Sequence, residues 1–230
     1  MSTPHFEAVL FDCDGVLADS EAITNAVLRD MLIADGWQIS MAECMQIFVG
    51  KAVRDEAALI EQRTGKPLTE AWLARFRDLR NEALTHRVQA IPNIQAAVHD
   101  IHTAHAGQIA CASGADRFKV ELMLRKLDLL SYFDGRIFSG HDMPRSKPYP
   151  DVYLAAAQAV AAHPKSCAVV EDTPTGIRAG VAAGATVFAY SPASTGHFSA
   201  ADLREAGAHH VFTDMAHLPE LLRIGPAIKA

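Results

Sequence analysis

Two carboxylates two residues apart, Asp12 and Asp14, stand in the stretch Ala8-Val9-Leu10-Phe11-Asp12-Cys13-Asp14-Gly15-Val16-Leu17-Ala18-Asp19-Ser20. The apolar run before them is short, holds a β-branched residue and is bounded by polar groups, so it reads as a buried strand. Alternation along a strand sends residues two apart to the same side, and Gly15 then lets the chain turn sharply. Carboxylates so placed can hold a divalent cation, attack an electrophile, or divide those tasks. A strand end running into an aspartate-rich turn would carry the same residues without chemistry. Three further positions bear on that choice: Ser113 after the apolar run Ile109-Ala110-Cys111-Ala112, Lys147 in Lys147-Pro148-Tyr149-Pro150-Asp151, and Glu171-Asp172 after Cys167-Ala168-Val169-Val170.

Asp12-x-Asp14-Gly15-Val16 after an apolar strand resembles the opening motif of the haloacid dehalogenase superfamily of phosphohydrolases. Ser113, Lys147 and Glu171-Asp172 resemble that family's later motifs, in its order, and the resemblance covers nearly the whole chain. It implies that Asp12 is a nucleophile forming an aspartyl-phosphate. Asp14 is then the acid/base, protonating the leaving group and later activating water. The implied cofactor is magnesium, Mg²⁺, held by Asp12, the backbone carbonyl of Asp14, and Asp172, with Glu171 ligating directly or through water. A few carboxylates completed by waters and substrate oxygens suit that ion. Ser113 and the Gly114 N–H would bind phosphoryl oxygens, and Lys147 would neutralise their charge and that of Asp12. Each motif has a plainer reading: a strand-to-helix turn at Ser113-Gly114, a solvated loop lysine at Lys147, a helix cap before Thr173-Pro174. Four such coincidences in a fixed order are improbable together.

Within the superfamily, aspartate at position 14 favours phosphate esters over haloalkanoates or phosphonates, whose branches lack it. The chain is similar to the branch of β-phosphoglucomutase and the sugar-phosphate phosphatases. Gly50-Lys51-Ala52-Val53-Arg54 looks like the segment where the mutase places a substrate-binding arginine, which makes Gly50, Lys51 and Arg54 candidate substrate contacts. Ten residues after Asp14, where the mutase carries a gating histidine, this chain has Thr24, which argues for hydrolysis. Ala115 replaces a second polar residue that many relatives carry. The expected function is a Mg²⁺-dependent phosphatase for a small phosphorylated metabolite such as a sugar phosphate. A phosphohexomutase needing a bisphosphate activator, or a non-catalytic sugar-phosphate-binding protein, are the other readings.

Around these motifs, strands alternate with helices, which implies a mostly parallel sheet covered on both faces. In such sheets ligands bind beyond the carboxyl ends of the strands, where Asp12, Ser113 and Asp172 fall. The fold class is therefore α/β, a Rossmann-like three-layer core, with an inserted α-helical cap. Helical spacing of Ile23, Val27 and Met31 follows Ser20, read as an N-cap. Ser40-Met41-Ala42-Glu43 has the capping-box form, and a later helix sets Trp72, Phe76 and Leu79 on one face. No strand is evident between Ser20 and Val88. Residues 1–17 and 89–230 form the core and 18–88 the cap, with Leu17–Ser20 and Val88–Asn93 as hinges. Helices are also expected from Ala115 to Leu127 and Val152 to Ala162.

The 230 residues are half apolar with a net charge of −6 and no basic run, so no nucleic-acid partner is expected. No apolar stretch approaches the roughly 20 residues a membrane span needs, and Met1-Ser2-Thr3-Pro4-His5 has no signal-peptide character. Cys13, Cys44, Cys111 and Cys167 are scattered, without C-x-x-C, as buried free thiols of a reducing, cytoplasmic compartment would be. Cys13 is assigned to core packing. The eleven histidines, His209-His210 included, show no ligand spacing. The partner is a small phosphorylated molecule, and no oligomeric state is legible.

Overall fold

The computed structural model describes residues 5–192 and 197–224; residues 1–4 of the N-terminal stretch lie outside them. β1 (Ala8–Phe11) is fully buried and lies at the centre of the sheet. Its side chains alternate between two cores: Val9 and Phe11 face one, Ala8 and Leu10 the other. A strand buried on both faces has no polar side, which is why its sequence is continuously apolar. Removing a side chain such as Phe11 from water stabilises the fold by about 1.5–3 kcal/mol.

The chain leaves β1 through a tight turn, in which Leu17 and Ala18 both donate to the Cys13 carbonyl. It then enters β2 (Ala18–Asp19), which pairs antiparallel with β3 (Gln89–Ala90) through Ala18↔Ala90 and Asp19↔Gln89. Between those strands lie α1 (Glu21–Ala34), α2 (Met41–Phe48), α3 (Ala57–Thr64) and α4 (Glu70–Arg87). These helices share an apolar cluster of their own, including Leu28, Leu32, Trp37, Phe48, Ile60 and Phe76. The expected capping box is present: Ser40 Oγ accepts from Glu43 N, and the Glu43 carboxylate accepts from Ser40 N. Gly65 takes the left-handed conformation that closes α3.

Two expectations about these helices need correction. Ser20 occupies the N-cap position of α1, but its hydroxyl caps nothing; it donates to Asp14 instead. The buried face of α4 is Leu73, Phe76, Arg80 and Leu84, a stripe at helical spacing that leaves Leu79 exposed. Trp72 is half-buried at its margin, stacked on Phe76, with its indole N–H donating to Asp35 at 2.6 Å.

After β3 the alternation resumes with α5 (Ile94–Ala104), β4 (Ile109–Ser113), α6 (Arg117–Lys126), β5 (Ile137–Ser139), α7 (Asp151–Ala159), β6 (Cys167–Glu171), α8 (Pro174–Ala183), β7 (Thr186–Tyr190), α9 (Ala200–Glu205), β8 (His210–Phe212) and α10 (Leu218–Ile224). The sheet order is β5-β4-β1-β6-β7-β8, every pair parallel. Residues of α5, α6 and α10 cover one face, and those of α7, α8 and α9 the other. The helix expected from Ala115 starts two residues later because Asp116 is its N-cap, accepting from Lys119 N at 3.0 Å. The helix expected to reach Ala162 stops at Ala159, and Ala161 has a positive φ. All four cysteines are buried and free, and Cys13 packs in the same cluster as Val9 and Phe11. No helix among the described residues is long and apolar enough to cross a membrane.

The helical insertion touches the sheet's own helices through a buried ion pair. Arg80 of α4, 6% exposed, donates to Asp116 at 2.8 Å. Removing one member of such a pair strands the other, at a cost of about 1–3 kcal/mol for a partly open partner. Arg80→Met is therefore expected to lower the thermal midpoint by roughly 3–10 °C. Asp116→Asn in the same background should recover part of that loss, as a differential scan would show.

Candidate active site

β1 ends between β4 and β6, with Phe11 paired to Cys111 on one side and to Val170 on the other. One residue further on, the ladder sets Asp12 level with Glu171, and the Asp12 N–H still donates to the Val170 carbonyl at 3.0 Å. Ser113 ends β4 on the opposite flank and is 1% exposed. The sequence-predicted groups therefore meet at one sheet edge because three neighbouring parallel strands end together there.

Lys147 comes to that edge from the loop before α7. Its ammonium donates to Asp12 Oδ1 at 2.7 Å, Glu171 Oε1 at 2.7 Å and the Tyr153 hydroxyl at 3.0 Å. Tyr153, fully buried on α7, donates in turn to Glu171 Oε1 at 2.8 Å. Glu171 Oε2 accepts from Asp172 N, Thr173 N and the Thr173 hydroxyl. Thr173 Oγ1 also accepts from Gly176 N, capping α8. The plainer readings of Glu171-Asp172 as a helix start and of Ser113-Gly114 as a turn are thus physically true, alongside the convergence. Ser113 Oγ accepts from Ala115 N at 3.0 Å, which leaves its hydroxyl proton available to donate.

Close packing at the edge excludes side chains at two glycines. Gly15 has φ +75°, and a Cβ there would fall on the Asp172 carboxylate. Gly176 lies so near Glu171 that a Cβ would overlap that carboxylate as well. Any substitution at either position must displace a carboxylate of the cluster.

The electrostatics are those of a site short of positive charge. Ligand atoms of Asp12, Glu171 and Asp172 lie within 4.8 Å of one another. Burial, with the neighbouring Glu171 and Asp14 charges, raises the Asp12 pKa to about 7 despite the pull of Lys147. Asp172 is pushed well above the usual carboxylate range by burial, then by Glu171 and Asp12. Burial opposes the charge on Lys147 too, but Asp12 and Glu171 together hold its pKa well above the ordinary value. Asp172 Oδ1 is buried without a hydrogen-bond partner. The residues fit a hard divalent cation: an orphaned oxygen of Asp172 faces carboxylates that repel one another without it. Both Glu171 oxygens already accept bonds from protein donors, so the openest ligand atoms belong to Asp12 and Asp172.

Asp14 stands apart from the cluster's hydrogen bonds. Its Oδ1 accepts from Lys119 Nζ at 2.5 Å and from the Ser20 hydroxyl. Burial would raise its pKa, but Lys119, Ser20 and, through space, Arg80 outweigh that and hold it low. Lys119 was not singled out from the sequence. The available signal was a lysine inside the apolar stripe of α6, between Asp116 and the buried Val120, Met123 and Leu124. A cleft opens alongside, lined by Gly15, Asp19, Glu21, Asp172, Tyr190 and His197 among others. Glu21 in it is raised to about 7, first by burial and then by Asp14, and Asn25 donates to its Oε2 at 3.2 Å.

The candidate substrate contacts are divided. Gly50 reaches the site: with φ +75°, a Cβ there would stand 3.2 Å from Thr173 Cγ2. Lys51 and Arg54 do not join the carboxylate cluster; they pair with Glu56 at 2.6 Å and Glu70 at 2.7 Å. Thr24 Oγ1 is buried and unpartnered. Among the described residues, no histidine belongs to an acidic or metal-ligand group.

A family model for haloacid dehalogenase-like hydrolases matches residues 6–184. The 6-phosphogluconate phosphatase of Escherichia coli strain K12 is 28% identical over 226 residues, covering 94% of each chain. A haloacid dehalogenase-like protein of unknown function from Agrobacterium tumefaciens shares 32% identity at a TM-score of 0.79, covering 94% of this chain and 97% of that one. A HAD family hydrolase from Deinococcus radiodurans, solved with phosphate and sodium bound, shares 32% identity at a TM-score of 0.76 over all of both chains.

The Asp12 shift has a measurable sign. Between its ordinary 3.8 and about 7, the folded protein holds a proton that the unfolded chain has lost. Over that range Asp12 therefore subtracts stability as pH rises. In a chelator, the thermal midpoint of Asp12→Asn minus that of the natural protein should increase from pH 4 towards pH 7. Added Mg²⁺ should raise the midpoint of the natural protein, and more at pH 7 than at pH 5.

Proposed function

Because the chain belongs to the haloacid dehalogenase-like hydrolases, we propose that it is a Mg²⁺-dependent phosphatase whose substrate is a small phosphorylated metabolite of the sugar-phosphate class. The observation that carries this reading is the fixing of Asp12 Oδ1 by Lys147, with a second carboxylate, Asp14, anchored separately two residues on. The 28% identity to a 6-phosphogluconate phosphatase over nearly the full length supports the substrate class.

With Oδ1 held, Asp12 Oδ2 is the oxygen free to attack phosphorus. The phosphorus–ester oxygen bond breaks as the new bond to Asp12 forms; the negative charge of the bound phosphate, set against that of Lys119, lets Asp14 take up a proton, which it gives to the departing alkoxide. Asp14, now a carboxylate, takes a proton from water. The resulting hydroxide attacks the aspartyl-phosphate, releasing inorganic phosphate and restoring Asp12. The Ser113 hydroxyl and the Gly114 N–H bind the transferring group's oxygens, and Lys147 balances their charge. Asp12, the Asp14 carbonyl and Asp172 would hold Mg²⁺, with Glu171 ligating directly or through water, and the ion would supply positive charge beside the phosphoryl group.

Residues 18–88 act in this reading as a cap on a core formed by 1–17 and 89–230, hinged at β2–β3. The approach of Gly50 to Thr173 supports a cap beside the site, and Lys51 and Arg54, paired here with Glu56 and Glu70, would turn to the substrate on closure. Thr24, in place of a histidine able to shield a phospho-enzyme, favours hydrolysis over phosphohexomutase activity. The four buried free thiols fit a cytoplasmic location.

The direct test is phosphate release from a panel of sugar phosphates and related metabolites, with and without Mg²⁺, beside Asp12→Asn. Release from a few compounds that needs Mg²⁺ and falls by at least about a thousandfold in the variant is expected. Isomerisation with little phosphate release would overturn the phosphatase reading in favour of a mutase. For the cap, Arg54→Ala should raise KM for the best sugar phosphate about tenfold while sparing p-nitrophenyl phosphate; equal losses on both would remove the specificity role.

A further inference from the structure

Lys119 lies on the buried face of α6, 5% exposed, between its cap residue and the apolar Val120 and Met123. Enclosing an ammonium this far costs several kcal/mol unless a partner compensates it. Among the described residues its ammonium has one hydrogen-bond partner, Asp14 Oδ1 at 2.5 Å. Its backbone is fixed as well: Lys119 N donates to Asp116, and Asp116 is held in turn by Arg80 of α4. The Ser20 hydroxyl, at the start of the helical insertion, donates to the same oxygen of Asp14 from another element. Two donors therefore converge on Oδ1. Oδ2 has no hydrogen-bond partner among the described residues, yet is not among the atoms sealed from solvent.

We propose that Lys119 is a positioning residue for the acid/base: with Ser20 it clamps Oδ1 of Asp14, so that Oδ2 alone faces the leaving-group oxygen and passes the proton. The inference rests on the phosphatase reading and deepens it. A carboxyl group must present its proton-bearing oxygen within hydrogen-bond reach of the ester oxygen. A side chain free to rotate about χ2 would spend part of its time with either oxygen displaced, whereas two donors on one oxygen fix the plane of the group. The charge of Lys119 is already matched by Asp14, which separates its task from that of Lys147, bonded to the nucleophile and Glu171.

The readout is dependence on the leaving group, because an alkoxide needs the proton and p-nitrophenolate hardly does. kcat and KM are measured with Mg²⁺ for p-nitrophenyl phosphate and for the sugar phosphate of the panel that the natural protein turns over fastest. In Lys119→Met, kcat for the sugar phosphate is expected to fall about a hundredfold. For the aryl ester the fall should be less than about tenfold, with both KM values within about threefold. Lys119→Met added to Asp14→Ala should lower sugar-phosphate turnover no further than Asp14→Ala alone, as expected of two residues acting as one unit. Lys119→Arg should restore part of the loss.

Equal losses on both esters, the aryl turnover of an unfolded variant included, would overturn the inference. So would a change confined to KM, which would mark Lys119 as a substrate anion contact, or additivity with Asp14→Ala. If the natural protein released phosphate from neither ester, the phosphatase reading itself would fall and this inference with it.

Discussion

One ammonium group holds the site together. Lys147 is bonded at 2.7 Å to carboxylates at the ends of two adjacent strands, Asp12 after β1 and Glu171 in β6, with a buried tyrosine hydroxyl as its third partner. Parallel strands that end side by side force their terminal side chains together, and here those side chains are acidic. Coulomb repulsion between them is strong because the edge is buried and water cannot screen it. Without Lys147 the carboxylates could stay close only by taking up protons. With it, Asp12 is oriented, yet burial and crowding still raise the Asp12 pKa to about 7 and push Asp172 well above the usual carboxylate range, a repulsion that a bound cation would relieve.

Glu171 illustrates how the protein makes that arrangement rigid. Both its oxygens accept from protein donors: a lysine, a tyrosine, two backbone amides and a threonine. It is therefore a strut more than a ligand. Glycine at positions 15 and 176 is the steric counterpart, since the carboxylates occupy the space where other residues would carry a Cβ.

What could be read from the sequence, and what could not, divides along a physical line. β1, β4 and β6 announce themselves as short apolar runs, and the motif residues at their ends follow from them. The capping box at Ser40 is local chemistry, and it is present. Pairings between residues far apart in the chain left no local trace. Lys119 meets Asp14 across 105 positions, and Arg80 meets Asp116 across 36. Ser20 looks like a helix cap by position but gives its hydroxyl to Asp14, a competition decided by tertiary structure. Helical spacing sets Leu79 on one face with Trp72 and Phe76, yet the packing of α4 turns Arg80 inward and leaves Leu79 exposed. The two-residue strands β2 and β3 are too short to show any periodicity.

Thr173 divides its side chain between two neighbours. Its hydroxyl joins Glu171 to the first turn of α8, while its methyl is the surface against which Gly50 rests. The two branches of one Cβ thus serve two clients, one electrostatic and one steric. Serine at this position would keep the bond to Glu171 and remove the methyl; valine would keep the methyl and take away one of the donors to Glu171. One β-branched residue thus couples the seating of the helical insertion to the bracing of the charge cluster.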